Sequence, residues 1–217
     1  MCGRFSLTAP AEDVVLRFLL AVGSLPTLEP RLNVSPGQDV LAVQAVRAGR
    51  APAWLRWGLV PAWADPARPG PINARIETAG SRPMFREALR RRRCLVPADG
   101  FYEWRREGTR RLPVRFQLAD GGLFALAGLW EERATPQGTL RTVCVLTTAP
   151  NGLVATVHDR MPVLLRPEFE VAWLTPGTPD PELLSRLAKP YPETAMAALA
   201  VDPALLRPPG PIPPLLT

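Results

Sequence analysis

Apolar and polar residues alternate with two different periods along the 217-residue chain. Its centre carries short runs rich in β-branched and aromatic residues, VLAVQAV (40–46), AWLRWGLV (53–60), RCLVPA (93–98), GFYEW (100–104), PVRFQL (113–118), LFALAGLW (123–130) and TVCVLTT (142–148). Such runs, bounded by Gly and Pro, predict strands, with REGTRR as the hairpin turn between GFYEW and PVRFQL. Helical spacing is confined to the flanks. Thr8 is placed to cap a helix from about Pro10 to Ala21, with Glu12 and Asp13 in its first turn and Val14, Val15, Phe18 and Leu19 as its buried stripe. MFREALRRR (84–92) reads as a short basic helix, INARIETA (72–79) as extended or mixed, and Ala64 to Pro71 as loop. Further short helices are expected at Asn151 to Val157, Pro167 to Leu174 and Pro181 to Leu187, the last capped by Asp180 with proline in its first turn.

Strands crowd the centre and helices the periphery, without regular β-α-β alternation. This predicts an α+β fold: a single domain over residues 1–217 on a curved, mostly antiparallel, open barrel-like β-sheet with short peripheral helices. The proline-rich tail from about Pro203 is expected to lie extended over the surface.

Composition narrows the chemistry. With 47% hydrophobic residues the chain can form a packed core, and it has no long uncharged apolar run, so neither a membrane span nor a signal peptide is expected. The three cysteines, Cys2, Cys94 and Cys144, make no C-x-x-C pair, and His158 is the single histidine. A disulfide framework, a zinc knuckle and multi-histidine metal sites are therefore not expected, no metal or cofactor is called for, and a reducing cytoplasm fits. Of the 26 basic residues 25 are arginine, and eleven of these fall between Arg82 and Arg115 against Glu87, Asp99, Glu103 and Glu107. The rest of the chain is close to neutral, and such a localised basic segment suits phosphate contact; a solvated helix face and hairpin turn are the alternative.

Cys2 is the most informative single residue. Trimming of Met1 would leave its amine and thiol two carbons apart, a 1,2-aminothiol that condenses with an aldehyde to an imine and then closes a five-membered thiazolidine. An α-amino group of pKa about 7.7 to 8.0 and a thiol near 8.5 are both usable at neutral pH. The same atoms also suit an N-terminal-nucleophile amidohydrolase or a glutamine amidotransferase, which likewise begins Met-Cys-Gly, although no Asn-Gly-Asp cluster accompanies them.

Strand alternation puts Glu103 with Phe101 on one face of GFYEW, and a carboxylate among aromatics is expected to be partly desolvated, with its pKa raised toward proton transfer. An exposed glutamate paired to a hairpin arginine is the alternative. His158, in a loop, has the intrinsic pKa for acid–base work or a structural role. Asn73 and Arg75 would provide a positioning amide and a phosphate-binding guanidinium if INAR is extended. Cys94 and Cys144 read as small core residues, as do Trp54 and Trp57, whereas Trp63, in a loop, has the shape of a base-stacking wedge.

In order along the chain, MCGRF, NVSPG, RWGLVPAWA, INARIETA, RCLVPADGFYEW, AGLWE, VLTTAPN and HDRMPVLL resemble the SOS-response-associated peptidase (SRAP) family from Met1 to about Leu165. The resemblance implies an abasic-site sensor that binds single-stranded DNA, at lesions and single-strand/duplex junctions of replication forks, and crosslinks covalently to the abasic deoxyribose. It matches the family's cysteine to Cys2, its asparagine to Asn73, its glutamate to Glu103 and its histidine to His158. It also implies DNA contacts from Arg4, Arg75, Arg82 and Thr147, with Pro36, Trp63 and Trp104 lining or wedging the channel. Ala64 stands where some members carry a second tryptophan.

The family name further implies peptidase chemistry, such as self-removal of Met1. A monomer in the cytoplasm, associated with the nucleoid during DNA damage and with no membrane partner, is the expected setting. A non-covalent single-stranded DNA-binding module is the remaining alternative, and it would tolerate loss of the Cys2 thiol.

Overall fold

The computed structural model describes residues 2–25, 27–65, 68–136 and 138–206. In chain order the described strands are β1 (Phe5–Leu7), β2 (Arg31–Val34), β3 (Asp39–Val46), β4 (Gly49–Trp57), β5 (Asn73–Arg75), β6 (Arg93–Ala98), β7 (Gly100–Glu107), β8 (Arg110–Leu118), β9 (Phe124–Thr135), β10 (Gly138–Thr148), β11 (Met161–Pro162), β12 (Leu164–Leu165) and β13 (Met196–Ala200). The helices are α1 (Ala11–Arg17), α2 (Ile76–Ala79), α3 (Pro83–Arg91), α4 (Gly152–Ala155), α5 (Pro167–Leu174) and α6 (Pro181–Leu187).

β3 pairs antiparallel with β4 and β6, β6 with β9 and β9 with β10, and β10 returns to β4 in parallel, so these strands close on themselves as a small barrel. A second, fully antiparallel sheet runs β13-β8-β7-β1-β2. The architecture is thus the expected α+β arrangement on a barrel-like, mostly antiparallel sheet with short helices outside.

Alternate residues of the barrel strands enter two different hydrophobic clusters. Leu41, Val43 and Leu95 pack with Val14, Phe18, Phe85, Trp173 and Leu187 from the helices. Val40, Ala42, Cys94 and Val96 pack with Phe5, Trp57, Phe101 and Phe116, reaching the second sheet. Every residue of β6 is buried, which is why RCLVPA reads as a continuous apolar run and not as an alternation. Each large aliphatic side chain buried this way contributes about 1.5–3 kcal/mol. Cys94 and Cys144 are core residues as expected.

Several local expectations are corrected. Thr8 does not cap α1: its N–H and hydroxyl both donate to the Asp99 carboxylate, and Pro10 occupies the cap position. The helix stops at Arg17, so Val14 and Phe18 are buried while Leu19, at φ 54°, is 71% exposed. Trp57 is buried but Trp54 is half exposed, because β4 leaves that face to solvent near its middle. INARIETA is mixed, as expected: three residues of β5 lead directly into α2. The expected tail lies outside the described residues beyond Leu206, and its first residues, Pro203–Leu206, form a 3-10 turn. Among the described residues no helix is long and apolar enough to cross a membrane.

Candidate active site

The extended segment before β1 runs beside β7. Phe5 registers with Phe101, and Tyr102 N–H donates to the Arg4 carbonyl at 3.0 Å. This pairing carries Cys2 toward Glu103. Gly100 is required at the start of β7, because a Cβ there would collide with the Arg115 guanidinium and sit 2.9 Å from Ser6 Oγ. Asp99 fixes the same corner, accepting hydrogen bonds from Ser6 Oγ (2.6 Å), Thr8 and Arg115 (3.0 Å).

Asn73 arrives from the opposite side. β5 pairs in parallel with β10, with Asn73 opposite Val145, and Asn73 Nδ2 donates to the Cys2 carbonyl at 2.9 Å. Its Oδ1 is buried and accepts no hydrogen bond from the described residues. His158 follows α4, whose N-terminus is capped by Asn151 Oδ1 accepting from Val154 N–H at 2.9 Å. His158 Nε2 lies 4.0 Å from Glu103 Oε2, and His158 Nδ1 accepts the Arg160 N–H at 3.0 Å with Asp159 Oδ1 2.9 Å away. Nδ1 thus faces both a backbone N–H and a carboxylate, which hold the ring in place, and Nε2 is the nitrogen nearest Glu103.

Residues 2, 73, 103 and 158 are therefore brought together from four separate elements. Cys2 and Glu103 are almost fully buried, whereas the His158 side chain is 24% exposed. Burial pushes the Cys2 thiol far above the ordinary thiol range, and the charge of Glu103 adds to the shift. Burial likewise raises Glu103 to about 7, with Asp159 contributing in the same direction. His158 is held below the ordinary imidazole value, again chiefly by burial, with Asp159 opposing. In this environment the Cys2 thiol is held protonated, while the neighbouring Glu103 carboxyl changes its protonation near neutral pH.

Glu103 and His158 line a cleft of about 560 Å³ together with Trp104, Arg105, Arg106, Arg111, Thr156 and Val157. A second cleft of about 440 Å³ is lined by Gly3, Arg4, Pro36, Trp104 and Arg111. Arg4, Pro36 and Trp104 thus wall one cleft, and Trp104 is shared with the cleft that holds Glu103 and His158. Trp63 is 68% exposed on a loop held by Arg133, which donates to the Ala64 carbonyl. Arg75 and Arg82 are exposed at the starts of α2 and α3. Thr147 is not brought to a surface: it is fully buried, with its hydroxyl 3.4 Å from the Ala74 carbonyl.

Sequence reasoning missed the clamp that holds the histidine loop. Arg160 makes a two-pronged ion pair with Glu77, both contacts at 2.8 Å, and donates to the Thr147 carbonyl at 2.7 Å. Both residues lie in motifs already singled out, INARIETA and HDRMPVLL, but 83 positions separate them. Arg111, which lines both clefts, was visible only as one arginine of a basic segment.

Comparison with known proteins gives a consistent set of relatives. A family model described as SOS response associated peptidase (SRAP) matches residues 1–208. The abasic site processing protein YoqW of Bacillus subtilis is 42% identical over 208 residues, covering 93% of this chain and 92% of that protein. The abasic site processing protein YedK of Escherichia coli is 30% identical, covering 80% and 79%, and the protein HMCES of Xenopus tropicalis, also named an abasic site processing protein, is 30% identical, covering 82% and 67%. A crystal structure of a protein from Bacteroides thetaiotaomicron superposes with a TM-score of 0.82 at 25% identity, over 93% of this chain and 92% of that one.

Proposed function

The chain belongs to the SOS response associated peptidase (SRAP) family, and from that premise we propose that it captures abasic sites in single-stranded DNA by a covalent bond through Cys2. The observation that carries this reading is the convergence of Cys2, Asn73, Glu103 and His158 beside a cleft walled by arginines and Trp104.

An abasic deoxyribose is an aldehyde masked as a cyclic hemiacetal. With Met1 removed, the Cys2 amine attacks C1′ of the opened sugar to give a carbinolamine, which loses water to form an imine. The Cys2 sulfur then adds to the imine carbon, its proton passes to the nitrogen, and a thiazolidine closes with net loss of one water. His158 donates to the ring oxygen through Nε2 during opening. Glu103, with a pKa near 7, takes the thiol proton and returns it to nitrogen. Asn73 holds the Cys2 backbone through Nδ2, and its buried Oδ1 accepts from the sugar or the amine. Arginines and Trp104 grip and stack the strand. The thiazolidine removes the aldehyde from β-elimination, so the outcome is protection of the lesion. Removal of Met1 is a different step, in which water activated by Glu103 or His158 attacks the Met1 carbonyl, the Met1–Cys2 amide bond breaks, methionine leaves and the Cys2 amine takes up a proton; reversal of the crosslink runs the thiazolidine steps backward and consumes one water.

Intact-mass spectrometry before and after incubation with a single-stranded oligonucleotide bearing one abasic site tests this. The expected product has lost Met1 and gained the oligonucleotide less one water, stable to denaturation without borohydride. Cys2→Ser, which keeps the amine, should yield only an adduct that borohydride must trap. A trimmed protein that forms no adduct under either condition overturns the proposal in favour of amide hydrolysis by the same thiol.

A further inference from the structure

The hairpin formed by β7 and β8 presents Arg105, Arg106, Arg110 and Arg111, all exposed. Among the described residues none of these guanidiniums makes an ion pair or a side-chain hydrogen bond, although many arginines elsewhere are engaged: Arg17 and Arg50 with Glu170, Arg92 with Glu131, Arg115 with Asp99, Arg141 with Glu132 and Arg160 with Glu77. The register places Arg106 directly opposite Arg111. Like charges in a cross-strand pair destabilise a hairpin, so this arrangement carries a local cost with no counterion from the protein. Of the two acids of the hairpin, Glu103 registers with Val114 and Glu107 with Arg110, so neither faces a member of the pair.

The position of the pair is equally specific. Arg111 and Trp104 line both the cleft containing Glu103 and His158 and the one containing Arg4 and Pro36, and Arg105 and Arg106 line the former. From Trp104 to Arg106 the hairpin extends about 7 Å past the reactive groups, at about 3.3 Å per residue.

Resting on the proposed function, we infer that this hairpin is a second phosphate-binding element, in which Arg106 and Arg111 straddle a backbone phosphate of the captured strand at the outer wall of the cleft that holds Glu103 and His158. A phosphate between two guanidiniums accepts charge-assisted hydrogen bonds from both and replaces their repulsion with attraction. The hairpin therefore recruits longer strands without taking part in the bond-forming steps.

The test is Arg106→Gln/Arg111→Gln, with capture rates measured on an abasic trinucleotide and on an abasic 21-mer across a salt series. The variant should melt no lower than wild type, since it loses a repulsion. Its capture of the trinucleotide should fall by less than that of the 21-mer, which falls about tenfold at moderate salt with a slope of log rate against log salt shallower by about 0.7, at about 0.7 per phosphate contact. An unchanged slope on the 21-mer, or an equal loss on both substrates, overturns the inference. Should wild type form no adduct with any oligonucleotide, the proposed function fails by itself. The salt slope of anisotropy binding to an undamaged 21-mer then decides the role of the hairpin: a shallower slope in the variant supports it and an equal slope overturns it.

Discussion

Glu103 is a carboxyl group at the edge of a hydrophobic cluster, and its pKa of about 7 has consequences for stability as well as for reactivity. The native state holds its proton above the ordinary carboxylate value, while the unfolded chain releases it near 4.3. Native stability contributed by this residue is therefore complete below about pH 4 and is lost as pH rises to 7, where the buried group must ionise. The shift corresponds to a loss on the order of 3 kcal/mol across that window. Glu103→Gln should abolish this part of the pH dependence, so that denaturant unfolding finds the variant more stable than wild type at pH 8. Capture of an abasic oligonucleotide should meanwhile fall about 100-fold and lose its inflection near pH 7. A variant that is destabilised at pH 8 would show that the carboxylate is needed charged in the resting fold.

At the scale of elements, the histidine loop is held to the β5–α2 junction by the Glu77–Arg160 ion pair. The Arg160 guanidinium beside Glu77 holds that carboxyl below its usual range. The pair is partly exposed, so Glu77→Gln should cost less than about 1 kcal/mol of stability. Its effect belongs to positioning: the capture rate should fall by about tenfold as His158 loses its alignment with Glu103. His158 is the single histidine, so its ring protons titrate alone in an NMR spectrum. The uncompensated Arg160 charge should move that titration downward. An unmoved titration with an unchanged rate would leave the clamp without a role.

This clamp also marks where local sequence signals end. α5 and α6 were legible to the residue, because proline in the first turn and Asp180 as a cap are local signals. β13 was not: MAALA favours a helix in isolation, and only its five-residue pairing with β8 makes it a strand. The parallel returns of β10 onto β4 and β5, which close the barrel and deliver Asn73, likewise have no signature within either partner. The residue types that meet at the site were legible in the sequence, whereas the Glu77–Arg160 ion pair beside them joins distant positions by tertiary packing alone.

On the scale of the whole molecule, the packing that holds the fold and the proposed capture site lie in different places. The site lies between the barrel and the second sheet, and the helices cover the other hydrophobic cluster. There the buried Glu170 of α5 accepts from Arg17 of α1 at 2.7 Å and from Arg50 of β4 at 2.8 Å. One carboxylate thereby ties two helices to a barrel strand, and its burial is tolerable only because two guanidiniums neutralise it. Glu170→Gln leaves both cations facing a neutral amide, at a cost of about 3 kcal/mol. For a chain of this length that lowers Tm by about 6–12 °C. Because no residue of this network lines either cleft, the rate of DNA capture well below Tm should stay within about twofold of wild type. Glu170→Gln would then lower Tm with capture intact, and Glu103→Gln would lower capture with stability raised at pH 8. If Glu170→Gln slows capture in proportion to its loss of stability, the helical face and the cleft form one cooperative unit, with the barrel transmitting strain between them.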